Sequence, residues 1–167
     1  MKICIHPIAT ITKTSGFDGD VKLRPLSRYF DDYIDQNRLM LGMSSEHSEI
    51  VRLEFVKGLG KKRRFRFQGV SSINDAKKII GQTLFSQADA DDEINLISKS
   101  LLGYSVVTDN GFMVGDLKDV MWLPSNDAYV IQNRDKEYLI PIIPELIKKI
   151  DHNLQRIIIT PMDGLLD

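Results

Sequence analysis

Apolar and polar residues alternate with a period of two along most of this chain, and apolar residues at helical spacing are scarce. Alternation of this kind places every second side chain on the same face of a strand, whereas a helix needs apolar residues three and four positions apart. Segments such as Ile3 to Lys13, Ile50 to Lys57 and Arg156 to Thr160 therefore predict strands. We expect a mostly β protein built from many short strands.

Turn residues separate the predicted strands. Ser15 to Asp20 contains two glycines and predicts a hairpin turn before a return strand at Val21 to Leu26. Asp109-Asn110-Gly111 predicts a second hairpin, because Asn-Gly tolerates positive φ. One helix is expected to begin at Ser72, whose side chain can accept from first-turn amides, and to stop at Gly81. Further strands are predicted at residues 39–43, 63–68, 105–108, 112–122, 128–132, 138–143 and 146–150.

The chain has 167 residues, enough for two small domains that each bury about 60% of their unfolded surface. The sequence SQADADDE at residues 86–93 lacks apolar anchors, so we expect an acidic linker there between domains at 1–87 and 96–167. Residues 1–87 hold 15 Lys and Arg against 9 Asp and Glu, whereas residues 88–167 hold 7 against 14. This split predicts that one end of the protein binds a polyanion and the other a basic partner.

Composition argues against several classes of protein. Cys4 is the single cysteine, which excludes an internal disulfide and a Cys-rich zinc site and fits the reducing cytoplasm. The histidines His6, His47 and His152 lack the spacing of metal ligands, so we expect no metal and no cofactor. The amino terminus has no continuous apolar run, and neither a signal peptide nor a membrane helix is expected.

The densest run of positive charge is KKRRFRF at residues 61–67. On a strand, Lys62, Arg64 and Arg66 would share one face, and Arg63 would share the other with Phe65 and Phe67. Such a row could neutralise RNA phosphates with little sequence preference. The alternative is a solvated hairpin whose lysines protect a sheet edge. The predicted RNA-binding residues, which we call the stripe, are Lys57, Lys61, Lys62, Arg64 and Arg66.

Two glycine motifs have simpler explanations than nucleotide binding. Gly16 to Gly19 spells the GxxG of KH domains, but Asp18 and Asp20 would repel phosphate, and a hairpin turn is preferred. Gly58 to Lys61 lacks the spacing of a phosphate-binding P-loop and is expected to connect two strands.

A group of apolar residues lies near the start of the second predicted domain. Burial in the core is favoured for Trp122 and is balanced against exposure for Leu96 and Ile97. If these side chains are exposed among acidic residues, they would form a docking patch. Ser125 to Asp127 predicts a turn first and a contact second. The predicted protein-binding residues are Leu96, Ile97, Trp122, Asn126 and Asp127.

Four stretches, in order, resemble the RimM family of bacterial ribosome maturation factors. IATITKTSGFDGDVKLRPL is similar to the family's amino-terminal hairpin, and FQGVSSINDAKKIIGQTLF to a helix that closes at Gly before a strand. LLGYSVVTDNGFMVGDLKDVMWLPSNDAYVI resembles the opening of the PRC-barrel domain, and EYLIPIIPELIKKID with DGLLD resembles its end. The chain departs from the family in three ways: Leu96 and Ile97 replace paired tyrosines, Ser15 replaces a frequent His, and Ile73 replaces a frequent Arg.

The resemblance implies a translation-factor-like amino-terminal β-barrel followed by a PRC barrel. It further implies a monomeric, non-catalytic factor that binds the head of the assembling small ribosomal subunit and assists ribosomal RNA folding and processing. The implied partner of the PRC barrel is the basic small-subunit ribosomal protein nineteen. Two alternatives stay open at this point: a PRC-barrel adaptor that acts outside the ribosome, and an RNA-processing enzyme that uses acidic residues.

Overall fold

The computed structural model describes residues 4–36, 38–123, 126–161, 164 and 166. The chain divides into two compact units, Met1–Ile94 and Asn95–Asp167. Each unit is built on one β-sheet, and the helices are few and short. The predicted mostly β fold is confirmed.

The sheet of the first unit curls round on itself. Its strand order is β4-β3-β7-β1-β2-β6-β5, so β4 and β5 lie at opposite ends of the ladder. In the chain, however, Arg52 alone separates these two strands. One residue spans only about 3.5 Å, so the two ends of the sheet must come together. The seven strands are β1 (Cys4–Ser15), β2 (Asp20–Pro25), β3 (Leu39–Gly42), β4 (Ser48–Val51), β5 (Leu53–Lys57), β6 (Arg64–Phe67) and β7 (Thr83–Ala88).

Two α-helices accompany this sheet in the described part of the unit. The helix predicted from Ser72 is confirmed as α2 (Ile73–Ile79), and the Ser72 hydroxyl accepts from the amide of Asp75 at 3.1 Å. A shorter helix, α1 (Phe30–Tyr33), escaped prediction because a single turn carries no measurable periodicity. The core of the unit includes Ile8, Ile11, Val21, Phe30, Ile34, Leu39, Phe65, Phe67, Ala76 and Leu84.

The acidic segment at residues 86–93 packs against the rest of the first unit, although its sequence predicted a linker without packing. Strand β7 continues to Ala88, which pairs with Cys4 of β1. Asp89 accepts from Arg38 at 2.9 Å, and Asp92 accepts from the Tyr33 hydroxyl at 3.0 Å. Backbone pairing and polar contacts therefore anchor a segment that lacks large apolar side chains. Burial, and then the hydrogen bond to Asp92, raise the pKa of Tyr33 above its ordinary value.

This anchoring changes the distribution of charge between the units. Asp89, Asp91, Asp92 and Glu93 belong to the first unit, which then holds 15 Lys and Arg against 13 Asp and Glu. The second unit holds 7 against 10. The two net charges keep the predicted signs but are small. Any strong electrostatic contact must therefore come from local clusters of charge rather than from a whole unit.

The second unit contains a six-stranded sheet with the order β11-β10-β9-β8-β13-β12. The pairing of β8 with β13 is parallel, and the other pairings are antiparallel. The hairpin predicted at Asp109 to Gly111 is present, with Gly111 at φ +92°. The strands are β8 (Ser105–Thr108), β9 (Met113–Met121), β10 (Ala128–Asn133), β11 (Lys136–Pro141), β12 (Ile147–Asp151) and β13 (Arg156–Ile159). The core comprises Leu101, Tyr104, Val106, Val114, Leu117, Tyr129, Ile131, Ile140, Leu146, Ile157 and Ile159.

Candidate nucleic-acid and protein interfaces

Two of the five stripe residues are engaged with a buried carboxylate. Arg64 and Arg66 share a face of β6, as alternation predicts, and that face meets Asp20 at the start of β2. Arg66 Nε donates to Asp20 at 2.7 Å, and Arg64 Nε lies 3.4 Å from the other carboxylate oxygen. The Asp20 side chain is only 7% exposed. Arg64 and Arg66 are therefore not a free row of cations: both contact Asp20, whose single negative charge offsets one of their two positive charges.

The three stripe lysines remain at the surface. Lys57 lies over the Phe55 ring at 4.5 Å, and Arg66 lies over the same ring at 4.6 Å. Lys61 and Lys62 are in a 3-10 turn, Gly60–Lys62, that precedes β6. Lys62 is thus not on the strand that sequence alternation assigned to it. The stripe residues that stay exposed and unpaired with Asp20 are thus the lysines of the hairpin between β5 and β6, which has Leu59 exposed at its tip.

A cleft of about 360 Å³ opens beside this hairpin. We call it the cationic cleft, because the described residues that line it include five cations and neither Asp nor Glu. Phe30 and Phe65 contribute to its apolar wall. The five cations are Lys13, Lys22, Arg24, Lys61 and Arg63.

The five cations are held in different ways. The Arg63 guanidinium lies over the rings of both Phe30 and Phe65, at 5.3 and 5.1 Å from their centres, and donates to Asp31 at 2.7 Å. Its place beside Phe65 agrees with the predicted alternation. Lys22 Nζ donates to the backbone oxygen of Lys61 at 3.3 Å, which links β2 to the 3-10 turn. This hydrogen bond leaves the positive charge of Lys22 uncompensated, since a carbonyl oxygen carries no formal charge.

Lys13 and Lys22 are direct cross-strand partners in the β1–β2 hairpin. Like charges in this arrangement destabilise a sheet. Arg24 follows Lys22 by two positions and therefore lies on the same face. Sequence reasoning missed this cluster because its members are scattered over two strands. The signal was nevertheless present: counting outwards from the predicted Ser15 to Asp20 turn places Lys13 opposite Lys22.

In the second unit, Trp122 is 53% exposed, and the prediction that favoured its burial is wrong. Trp122 follows the last residue of β9, whereas the inward positions of that strand are occupied by Val114 and Leu117. Leu96 and Ile97 are half-buried, and the Leu96 carbonyl accepts from the Tyr129 hydroxyl at 2.6 Å. The last two predicted docking residues differ from each other: Asn126 is exposed and Asp127 is buried.

The outer face of β9 to β11 carries both apolar and acidic side chains. Register pairs Asp119 with Val130 and Val130 with Leu139, so these residues share a face opposite to the core residue Tyr129. By the same alternation Met121 and Glu137 also lie on that face. We call Asp119, Met121, Glu137 and Leu139, together with the adjoining Trp122, the acidic-apolar face.

Two surface ion pairs cross this region. Lys99 Nζ lies 2.9 Å from Asp119, and Lys118 Nζ lies 3.3 Å from Glu137. The hydrogen bond from Lys99, followed by the one from the Val120 amide, lowers the pKa of Asp119. All four side chains are more than half exposed, so each pair contributes little to stability. Asp119 and Glu137 can therefore exchange their lysines for cations of a binding partner.

The described residues contain no group of three or more His, Cys, Asp or Glu placed to hold a metal ion. In the same part of the chain no helix has both the length and the apolar character needed to cross a bilayer.

The fold and the order of the domains define the class of protein. Residues 6–91 match the family model described as the RimM N-terminal domain, and residues 98–165 match the RimM PRC barrel domain. The chain is therefore a two-domain PRC-barrel protein. It belongs to the RimM family, which consists of assembly factors rather than enzymes, and the resemblance drawn from the sequence is confirmed.

Similar proteins match along nearly the whole chain. The ribosome maturation factor RimM of Staphylococcus saprophyticus is 30% identical over 171 residues, covering 96% of this chain and 98% of its own. That of Thermoanaerobacter sp. strain X514 is 28% identical over 165 residues with the same coverage. A crystal structure of a 16S ribosomal RNA processing protein RimM from Pseudomonas aeruginosa covers 95% of this chain, at 18% identity and a TM-score of 0.45.

Proposed function

We propose that this protein is a cytoplasmic ribosome maturation factor that binds the head of the assembling small subunit and assists ribosomal RNA folding and processing. The observation that carries the proposal is the match of both RimM domains, in order, to relatives named ribosome maturation factor RimM. The protein acts as a monomer and without chemistry of its own: it holds two components of the particle in a productive arrangement.

The second unit supplies the contact with small-subunit ribosomal protein nineteen. The acidic-apolar face has the anatomy of a docking patch, with exposed Trp122, Met121 and Leu139 beside carboxylates. Carboxylates suit a basic partner, and the 7 Lys and Arg against 10 Asp and Glu of this unit agree in sign. Leu96, Ile97 and Asn126 stay candidates for the same contact. The burial of Asp127 suits a structural role better.

The first unit supplies the contact with ribosomal RNA. Lys57, Lys61 and Lys62 are exposed on one hairpin and suit phosphate contact. Two modest contacts on one chain raise each other's effective concentration, so neither has to be strong alone. Arg64 and Arg66 support the fold beneath the hairpin through Asp20.

Cosedimentation of the purified protein with immature small subunits on sucrose gradients tests the proposal. The protein is expected to travel with the immature particles and to be depleted from mature ones. A protein that stays at the top of the gradient would refute the ribosomal role and favour an adaptor that works elsewhere.

Replacement of Trp122 by Ala is expected to weaken cosedimentation about tenfold, because an exposed aromatic at the centre of an interface is a typical hot spot. Stability should change by less than about 0.5 kcal/mol, since the side chain is 53% exposed. Leu154→Ala is the matched control, because Leu154 is a large apolar residue of the same unit with 62% exposure, placed on the β12–β13 turn. Equal effects of the two substitutions would remove Trp122 from the docking surface.

Reversing the charge of Lys57 and Lys62 together is expected to reduce affinity for immature subunits and to make it less dependent on salt. Two lost phosphate contacts correspond to a fall of about 1.4 to 1.8 in the slope of log affinity against log salt. Titration of cosedimentation between low and moderate salt measures the slope. The control is Lys77→Glu with Lys78→Glu on α2, which imposes the same charge change on exposed lysines of the same unit. An unchanged slope in the Lys57 and Lys62 variant would show that the hairpin lysines make no RNA contact.

A further inference from the structure

We propose that the cationic cleft is a binding site for the backbone phosphates of single-stranded RNA, separate from the hairpin lysines Lys57 and Lys62. The inference deepens the proposed function and rests on it, because it names the RNA element that the first unit holds. The cleft has a volume of about 360 Å³, which lies in the range of ligand pockets, although at its lower end.

The electrostatics of the cleft point to a polyanionic ligand. Lys13, Lys22 and Arg24 extend from one face of the β1–β2 hairpin, and Lys61 approaches from the 3-10 turn. Within the described part of the chain, Arg63 is the one cation of the cleft that pairs with a carboxylate, that of Asp31. The direct opposition of Lys13 and Lys22 costs stability in the absence of a ligand, and an anion between them would relieve the repulsion.

Two of the five cations of the cleft are held in place before any ligand arrives. Lys22 ties the 3-10 turn to β2 through the oxygen of Lys61, and Arg63 lies over the rings of Phe30 and Phe65. Binding of a phosphate chain therefore requires less ordering at Lys22 and Arg63 than at free side chains. The exposed side chains of Lys13, Arg24 and Lys61 complete the site and are ordered on contact.

The shape favours a single strand over a duplex or an acidic peptide. A duplex presents its phosphates on a convex surface, whereas a concave site with an apolar wall admits one strand and lets sugar or base atoms meet Leu23 and Pro25. Arg24 offers a planar guanidinium on which a base can stack. An acidic peptide has neither the regular spacing of backbone phosphates nor the flat bases that can stack on Arg24.

The test uses the full-length protein and a fluorescently labelled, mixed-sequence single-stranded RNA of 12 nucleotides, with fluorescence anisotropy as the readout. The Lys13→Glu and Arg24→Glu double variant is expected to bind at least tenfold more weakly, with a salt slope smaller by about 1.4. The matched control, Lys148→Glu with Lys149→Glu, makes the same charge change on exposed lysines of β12 and should lose less than twofold.

Folding is checked independently of binding. Lys13→Glu replaces a like-charged cross-strand pair with an opposite one, so the double variant should unfold at a urea concentration no lower than that of the unchanged protein. Weaker RNA binding with retained stability supports the cleft. Equal losses in the cleft and control variants, or equal binding of a duplex or of a polyglutamate peptide in place of the single strand, would overturn it.

The outcome is separable from that of the proposed function. If the unchanged protein cosediments with immature subunits and the cleft variant binds the RNA normally, the cleft proposal fails and the ribosomal role stands. If RNA binding depends on the cleft but the unchanged protein does not cosediment, the cleft is supported and the ribosomal role fails.

Discussion

Replacement of Gly19 by Ala is expected to lower the free energy of unfolding of the first unit by about 3 kcal/mol, combining backbone strain with a steric clash. Gly19 has φ +107°, a conformation that residues with a side chain rarely adopt. A Cβ there would lie 2.3 Å from the Val70 carbonyl oxygen and 2.8 Å from its carbon. Both atoms belong to the backbone just before α2, so a side-chain rotation cannot relieve the clash.

Gly16 provides the matched control in the same turn. It has φ +77°, but a Cβ added to it would meet no heavy atom within 4 Å. Gly16→Ala should therefore cost only the conformational strain, about 1 kcal/mol. Urea unfolding followed by circular dichroism measures both variants, and the fluorescence of Trp122, the only tryptophan, follows the second unit separately. Equal losses at the two glycines would show that the close approach to Val70 does not constrain the turn.

The GxxG pattern predicted the turn but not the different steric surroundings of its two glycines. The sequence predicted a hairpin turn at Gly16 to Gly19, because glycine permits positive φ and the flanking segments alternate. It could not distinguish the two glycines, since the atom that meets Gly19 belongs to Val70, about fifty residues away in the chain. Local patterns predict turns, but contacts between distant segments decide how strictly each turn residue is required.

The same limit explains the charged sites. Alternation correctly placed Arg64 and Arg66 on one face of a strand, but the pairing of β6 with β2 brings Asp20 to that face. Conversely, the pairing of β1 with β2 assembles Lys13, Lys22 and Arg24 from positions that form no run in the sequence. The density of charge along a sequence is therefore a poor guide to the density of free charge on a β-sheet.

Composition was also a poor guide to where strands end and to which side chains are buried beside those ends. The acidic stretch from Ser86 lacks large apolar residues, yet β7 extends to Ala88 because its backbone hydrogen bonds with β1 do not depend on such side chains. Trp122 shows the opposite case. Its size favours burial, but its position just beyond β9 leaves it at the surface. In both cases the end of a strand, which sequence patterns locate only to within a few residues, determines the outcome.

Replacement of Arg66 by Ala is expected to lower the free energy of unfolding by about 2 to 3 kcal/mol. The Arg66 side chain is 21% exposed and donates to Asp20, whose side chain is 7% exposed, at 2.7 Å. Its removal leaves the buried carboxylate with the longer contact to the half-exposed Arg64, and a buried charge that loses its closer partner is costly. The variant also loses the guanidinium that lies 4.6 Å from the centre of the Phe55 ring.

Two further substitutions separate charge from packing. Arg66→Met keeps an apolar stem near Phe55 while removing the charge, so it should recover less than half of the loss if the ion pair with Asp20 dominates. Arg64→Ala addresses the same carboxylate from a side chain that is 44% exposed and 3.4 Å away, and should cost less than about 1 kcal/mol. Urea unfolding of the three variants measures the order Arg66→Ala, Arg66→Met, Arg64→Ala, from the most to the least destabilised. If Arg66→Met is as stable as the unchanged protein, the stem of Arg66 supports the fold and its ion pair with Asp20 does not.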